Sequence, residues 1–118
     1  MYNHNNIFAK ILKEEIPCNK IYENSFALAF YDIKPLAKIH ALVIPKGAYS
    51  CITDFIQNAS PEEQLAFNQA IISTCEKLAL NNGFRLITNT KEIGGQEVPH
   101  YHVHILAGEK LGAMYQGE

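Results

Sequence analysis

Residues 100–106 read His100-Tyr101-His102-Val103-His104-Ile105-Leu106, and this alternation constrains the fold more than any other stretch of the chain. In a strand, successive side chains point to opposite faces, so a period of two sends the three imidazoles to one face and Tyr101, Val103 and Ile105 to the other. The histidine Cα atoms then stand about 7 Å apart. Three basic rings at that spacing resist simultaneous protonation. At least one therefore stays neutral near pH 7, with a lone pair free to act as nucleophile, base or metal ligand. Directly upstream, Gly94-Gly95 lets backbone N–H groups come close to an anion in the loop that delivers the chain into this strand. Imidazole beside such a loop points to phosphoryl or nucleotidyl chemistry. The alternate spacing, with strand-forming residues between the rings, separates the run from an appended histidine tag.

The rest of the chain supplies the elements such a strand needs around it. Asn5 or Asn6 caps a helix with Ile7, Phe8, Ile11 and Leu12 on its apolar side, ended by Pro17. Residues 20–23, the turn Asn24-Ser25 and residues 26–31 predict a hairpin, and residues 39–46 a third strand with His40 at its start. Asp32, at a strand end, has the ordinary role of an Asx turn residue. Ser60-Pro61-Glu62-Glu63 is a complete capping box with proline at N1, so a long helix starts there. Its buried stripe is expected at Leu65, Asn68, Ile71, Ile72, Cys75, Leu78 and Ala79, with Asn81-Asn82-Gly83 as the stop. Residues 84–89 predict a strand leading through residues 90–95 into the histidine strand, and no structure is predicted for the tail 109–118. The order α, β, β, β, α, β, β with short turns gives an α+β fold: a five-stranded, mostly antiparallel sheet with two helices segregated to one side.

A chain of 118 residues is expected to form a single domain, 1–118, around one core. Hydrophobic residues at 47% and charged residues at 19% are ordinary for a globular protein, and no apolar run approaches the roughly 18 residues of a membrane helix. No membrane partner is expected. The first six residues lack a basic region, and Lys10, Lys13, Glu14 and Glu15 interrupt the apolar positions after them, so a cytoplasmic location is expected rather than export. Cys18, Cys51 and Cys75 are odd in number with no C-x-x-C, which implies neither a disulfide framework nor a zinc-thiolate site. A net charge of −2 with Arg85 as the one arginine provides no basic surface for nucleic acid, whereas a small anion held by backbone donors remains compatible.

The run His100–Leu106 resembles the signature of the histidine triad family, His-φ-His-φ-His-φ-φ with φ apolar. Gly94-Gly95-Gln96 before it and Ala107-Gly108 after it are similar to the family's Hint branch, the purine nucleoside phosphoramidases, and the similarity extends over nearly the whole chain. The resemblance implies a homodimeric nucleotide hydrolase that requires no cofactor or metal and takes a purine nucleotide or nucleoside phosphoramidate. On the matching positions it makes His102 the attacking residue and His104 a donor to phosphate oxygens. It makes His100, together with His40 in the place of the family's fourth histidine, the groups that orient the nucleophile through its other ring nitrogen. Ile7, Phe8 and Ile11, with Phe30 and Ile33, wall the base pocket by the same similarity. Asp32 accepts from ribose hydroxyls, a role suited to a carboxylate that can take both vicinal hydroxyls at once. Asn89 contacts phosphate or ribose, and Gly95, Gln96, Glu97 and Val98 line the phosphate loop. Glu97 departs from the serine of animal members, though bacterial ones can carry glutamate, and this weakens any proton-donor role transferred to that position.

The chemistry expected is a two-step displacement: His102 attacks the α-phosphorus, the leaving group departs, and water cleaves the nucleotidyl-histidine. Alternatives within the family are dinucleoside polyphosphate cleavage, as in the Fhit branch, and uridylyl transfer, against which His104 argues because that branch usually carries glutamine there. From another chemistry comes a metal site on His100, His102 and His104. Cupin-like frames fail on this sequence, since Leu106 and Ala107 stand at the acidic position of one frame and Gln96 replaces the glycine of the other. A nucleotide-binding adaptor without relevant catalysis is the third alternative.

Overall fold

In the computed structural model, which describes residues 1–115, the chain forms α1 (Ile7–Leu12), β1 (Lys20–Glu23), β2 (Ala27–Tyr31), β3 (Ile39–Pro45), α2 (Ile52–Asn58), α3 (Pro61–Lys77), β4 (Arg85–Ile87) and β5 (Val103–Ala107). The strands make one antiparallel sheet in the order β1-β2-β3-β5-β4. This is the α+β architecture the sequence predicts, with three helices instead of two. α2 escapes sequence reasoning because it spans two turns, buries only Phe55, and has an N-cap, Cys51, whose side chain makes no capping bond. It is held instead by Asp54, which accepts from the Ser50 N–H at 2.8 Å, and by Phe55 packed 5.2 Å from Phe67 and 5.0 Å from Tyr101, centroid to centroid.

Both capped helices stop earlier than expected, and for one reason. α1 ends before Pro17 because Glu14 turns into the left-handed region at φ 63°, with Glu14 N–H donating to the Ile11 carbonyl and Glu15 N–H to that of Lys10. α3 ends before Asn81-Asn82-Gly83 in the same way, through Ala79 at φ 57° and the pairs Ala79–Glu76 and Leu80–Cys75. These are Schellman closures with a non-glycine residue in the strained position, so the usual glycine signal is missing. Phe26 belongs to the turn, because the Asn24 side chain accepts from both the Phe26 and Ala27 N–H groups at 2.9 Å. The tail has no helix or strand over 109–115, and residues 116–118 lie outside those described.

The sheet has two unlike faces. On one, Ala27, Ala29, Ala41, Val43, Tyr101, Val103, Ile105 and Ala107 pack against Phe55 of α2 and Phe67, Ala70, Ile71 and Cys75 of α3. The other carries Leu28, Phe30, Leu42 and Ile44 against Phe8 and Ile11 of α1. The helices are therefore not segregated to one side: α1 lies opposite α2 and α3. The stripe that α3 buries is also rotated from the expected one. Ala27, Ala29 and Ala41 are fully buried, so the helix settles onto small residues, Ala70 and Thr74, while Leu65 and Ile72 stay 61% and 54% exposed.

β5 begins only at Val103, so two of the three histidines precede the ladder. There His100 N–H donates to the Val98 carbonyl and Tyr101 N–H to that of Tyr49. The alternation of faces nevertheless holds, with Tyr101 in the α3-side core and the histidine rings near Phe8. Register then sets a row across the α1 face, Phe30–Leu42–His104–Ile87, each residue opposite the next.

Candidate active site

The His102 ring lies 5.0 Å from both the Phe8 and the His104 rings, centroid to centroid. Its Nδ1 stands 2.7 Å from the main-chain carbonyl of His100. A carbonyl only accepts, so Nδ1 carries the proton and Nε2 keeps its lone pair. The carbonyl of His102 accepts from Thr88 Oγ1 at 2.8 Å, which fixes the peptide on the far side of the ring. The group that orients His102 is thus the carbonyl of His100, not the imidazole of His100 or of His40 that the sequence reading supposes.

The other rings are fixed by equally one-directional bonds. His100 is fully buried; its Nε2–H donates to the Pro45 carbonyl at 2.8 Å, and its Nδ1 accepts from the Tyr2 hydroxyl at 2.5 Å. Leu36 N–H donates to His40 Nδ1 at 3.0 Å, which leaves the proton of His40 on Nε2. That proton faces His104 Nδ1 at 2.9 Å, with the Asp32 carboxylate 3.4 Å away. His104 therefore presents Nε2–H, a donor, beside the lone pair of His102. One ring offers an electron pair and its neighbour a proton.

Electrostatics keep these rings neutral. Burial pushes His100 down to about 4, offset in part by the Pro45 carbonyl and reinforced by His102. Burial likewise takes His104 down to about 4, with the His102 and His40 rings adding to the shift. His102 is lowered by burial against the opposing pull of the His100 carbonyl, Asp32 and Glu97, and His40 is lowered by burial against Asp32. Neutrality at pH 7 extends to the whole set, beyond the single ring the spacing requires.

The loop preceding His100 is shaped mainly by itself. A Cβ on Gly94 would run into the Thr90 carbonyl oxygen, and Gly95 sits at φ 80°, so both glycines serve the turn. The N–H groups of Gly95 and Gln96 donate to the Glu92 and Lys91 carbonyls, which removes them from the expected anion cradle. The Gln96 side chain is a hub, donating to the Ser50 and Val98 carbonyls and accepting from Lys91 N–H. The Glu97 and Val98 N–H groups have no partner among the described residues and remain as the loop's donors. Glu97 itself is exposed.

Of the residues expected around base and ribose, Phe8, Ile11 and Phe30 are core, with Phe8 edge-on to Phe30 at 5.8 Å. Ile7 and Ile33 offer surface, at 41% and 85% exposed. Asp32 fulfils its Asx role, accepting from Lys34 N–H at 2.8 Å through Oδ1, while Oδ2 faces His40. Asn89 is half-buried just beyond β4.

Metal ligation fits the ring pattern poorly. Both ring nitrogens of His100 are committed, and no open coordination remains there. Asp32, His40 and His104 offer donor atoms within 4.8 Å of one another. Ligation through His40 Nε2 would put a proton on Nδ1, where it would meet the Leu36 N–H head-on. These atoms are set to share protons.

Sequence reasoning missed Tyr2, Thr88, and the Pro45 and Leu36 main-chain groups. Tyr2 and His100 are 98 residues apart, and no local pattern links them.

Residues 13–111 match the HIT domain family. The chain is 46% identical over 114 residues to an uncharacterised HIT-like protein of Azospirillum brasilense, covering 96% of this chain and 93% of that one. It is 39% identical over 113 residues to the purine nucleoside phosphoramidase of Escherichia coli K12, covering 92% and 91%. Among solved structures, a HIT family hydrolase from Clostridium thermocellum superposes with a TM-score of 0.87 at 33% identity, covering 97% of this chain and 99% of that one.

Proposed function

The chain belongs to the HIT domain family, and from that premise we propose that it hydrolyses purine nucleoside phosphoramidates at the P–N bond through a nucleotidyl-histidine intermediate. The observation that carries the proposal is the pairing of a free Nε2 lone pair on His102 with an Nε2–H on His104, each fixed by a directional bond behind it. Likeness to a purine nucleoside phosphoramidase at 39% identity supports the substrate class over dinucleoside polyphosphates.

In the first step His102 Nε2 forms a bond to the α-phosphorus and the P–N bond breaks, its electron pair leaving with the amine. Positive charge then develops on His102, where the His100 carbonyl, Asp32 and Glu97 stabilise it. His104 Nε2–H and the free Glu97 and Val98 N–H groups act on the phosphate oxygens, as preorganised donors do for developing charge. The amine takes its proton from solvent, because His104 is neutral and holds its one ring proton on the phosphate oxygens. In the second step water attacks phosphorus, releases a proton and returns the electron pair to His102, giving nucleoside monophosphate and amine.

No cofactor or metal takes part in this scheme. A homodimer accompanies it. β4 has no strand on its outer edge among the described residues, and Phe84 and Leu86 there are 40% and 45% exposed, as are Leu65 and Ile72 of α3 to a greater degree. An open edge with apolar side chains favours covering by a second copy, and sedimentation at micromolar concentration reads the mass directly.

The test is turnover of adenosine and guanosine phosphoramidates, before and after exhaustive chelation, with His102→Ala as control. Amine and monophosphate released in equal amounts, with activity retained after chelation and lost in the variant, is the expected result. Turnover that requires an added divalent ion, or that survives His102→Ala, would contradict it.

A further inference from the structure

We propose that Tyr2 is a positioning residue: its hydroxyl fixes the His100 ring and, through it, the main-chain carbonyl that sets the tautomer of His102. A fully buried imidazole needs partners at both nitrogens. His100 has the Pro45 carbonyl at Nε2 and, at Nδ1, only the Tyr2 hydroxyl among the described residues.

The hydroxyl is itself aimed. Asn6 Nδ2 donates to the Tyr2 oxygen at 2.9 Å, so the phenolic proton is left to point at His100. Asn6 is buried and its amide is held throughout, with Oδ1 capping α1 through Ala9 N–H at 2.8 Å and the second N–H of Nδ2 reaching the Asn3 carbonyl at 2.7 Å. Burial raises the Tyr2 pKa above the ordinary phenol value, so the group remains a donor throughout the working pH range. The start of α1 is in this way tied to the first histidine of the run. The same helix meets the second through Phe8, edge-on to His102 at 5.0 Å.

Resting on the nucleophilic role proposed for His102, the consequence is specific. Without the hydroxyl, His100 Nδ1 is a buried acceptor with no donor. The ring regains a partner only by moving, which strains the Pro45 bond and shifts the peptide whose carbonyl holds His102 Nδ1–H. Once that bond loosens, His102 populates the tautomer with its proton on Nε2, which has no lone pair at the attacking nitrogen. The rate of attack falls while nucleotide binding does not, because the Tyr2 oxygen is committed on both sides to protein groups.

The experiment compares the unmodified chain, with nothing added before Met1, with Tyr2→Phe, with Asn6→Ser, which keeps a capping residue but loses the amide donor, and with His102→Ala. Steady-state kcat and KM are read on adenosine phosphoramidate, and histidine tautomers by nitrogen-15 NMR. Tyr2→Phe is expected to lower kcat about tenfold, the worth of one hydrogen bond to a buried partner, with KM within about twofold and a measurable Nε2–H population at His102. Asn6→Ser is expected to change the same quantities in the same direction by less. Unchanged kcat and an unchanged His102 tautomer in Tyr2→Phe, with His102→Ala inactive, would overturn the inference and leave the proposed function standing. Loss of kcat with the His102 tautomer intact would also overturn it, since that marks general loosening. If His102→Ala keeps full turnover, the proposed function fails, and the tautomer readout still decides the role of Tyr2.

Discussion

Val43 and Val103 face each other on one side of the sheet, and one residue along the same strands Leu42 faces His104 on the other. The α3 side is held by shape: alanines admit the helix, the tilted aromatic rings of Phe55, Phe67 and Tyr101 pack within 5.0–5.2 Å, and the lone buried side-chain polar atom without a partner among the described residues is Thr74 Oγ1. The α1 side buries His40, His100 and His102 and assigns a directional partner to each. Burial of apolar area is non-directional and tolerates small shifts. A proton held on one particular ring nitrogen does not. The two faces should therefore fail differently.

The largest effect on stability belongs to the α3 face. Phe67→Ala removes a ring that is 1% exposed at the centre of that core, and should cost about 3–5 kcal/mol in urea unfolding. Turnover per folded molecule, measured where the variant is still folded, should stay within about twofold of the parent. A large loss per folded molecule would show that the helical core does more than hold the sheet.

Acid should act through the other face. His100 and His104 titrate near 4 in the folded chain, against about 6.5 when unfolded, so the unfolded state binds more protons between those values. Stability contributed by these rings is whole above about pH 6.5 and falls as pH drops towards 4. The slope from fully buried His100 is up to about 1.4 kcal/mol per pH unit. Between about pH 6.5 and 5 the carboxylates with lowered pKa, Glu23, Asp54 and Glu63, do not yet contribute. Urea midpoints over that interval should show the slope, and Phe67→Ala should keep it. A flat profile would mean that the rings are already charged in the folded chain.

The smallest effect is expected at the rim of the histidine face. Glu97→Gln removes an exposed charge that favours imidazolium at His102. Monophosphate affinity should stay within a few-fold, a loss of about 1 kcal/mol or less. Substrates with basic amine leaving groups should slow more than those with good leaving groups. Equal slowing of every substrate would make Glu97 a binding or structural residue.

How far the fold and the site could be read from sequence also divides along the two faces. The alternation in residues 100–106 correctly sorts Tyr101, Val103 and Ile105 from the histidines, because a two-residue period survives even where the ladder has not begun. The capping box of α3 is legible because all of its atoms lie within four residues. The stripe α3 buries is not, since it depends on alanines in β2 and β3 that no helical period reports. In the site, residue types are legible and their wiring is not. The carbonyls of Pro45 and His100 and the N–H of Leu36 are main-chain groups with no side-chain signature. Gln96 reads as a phosphate-loop residue in sequence, yet its amide is spent on Ser50, Val98 and Lys91, contacts fixed only by how the loop folds back.

The central claim is that His102 carries the reactive lone pair, and trapping the intermediate tests it most directly. A rapid quench during turnover, with mass spectrometry under conditions that preserve P–N linkages, should find one nucleotidyl group on His102 and none in His102→Ala. A nucleotide mapped to His100 or His104 would contradict the tautomers that the hydrogen bonds assign, because His100 has no free nitrogen and His104 presents a proton.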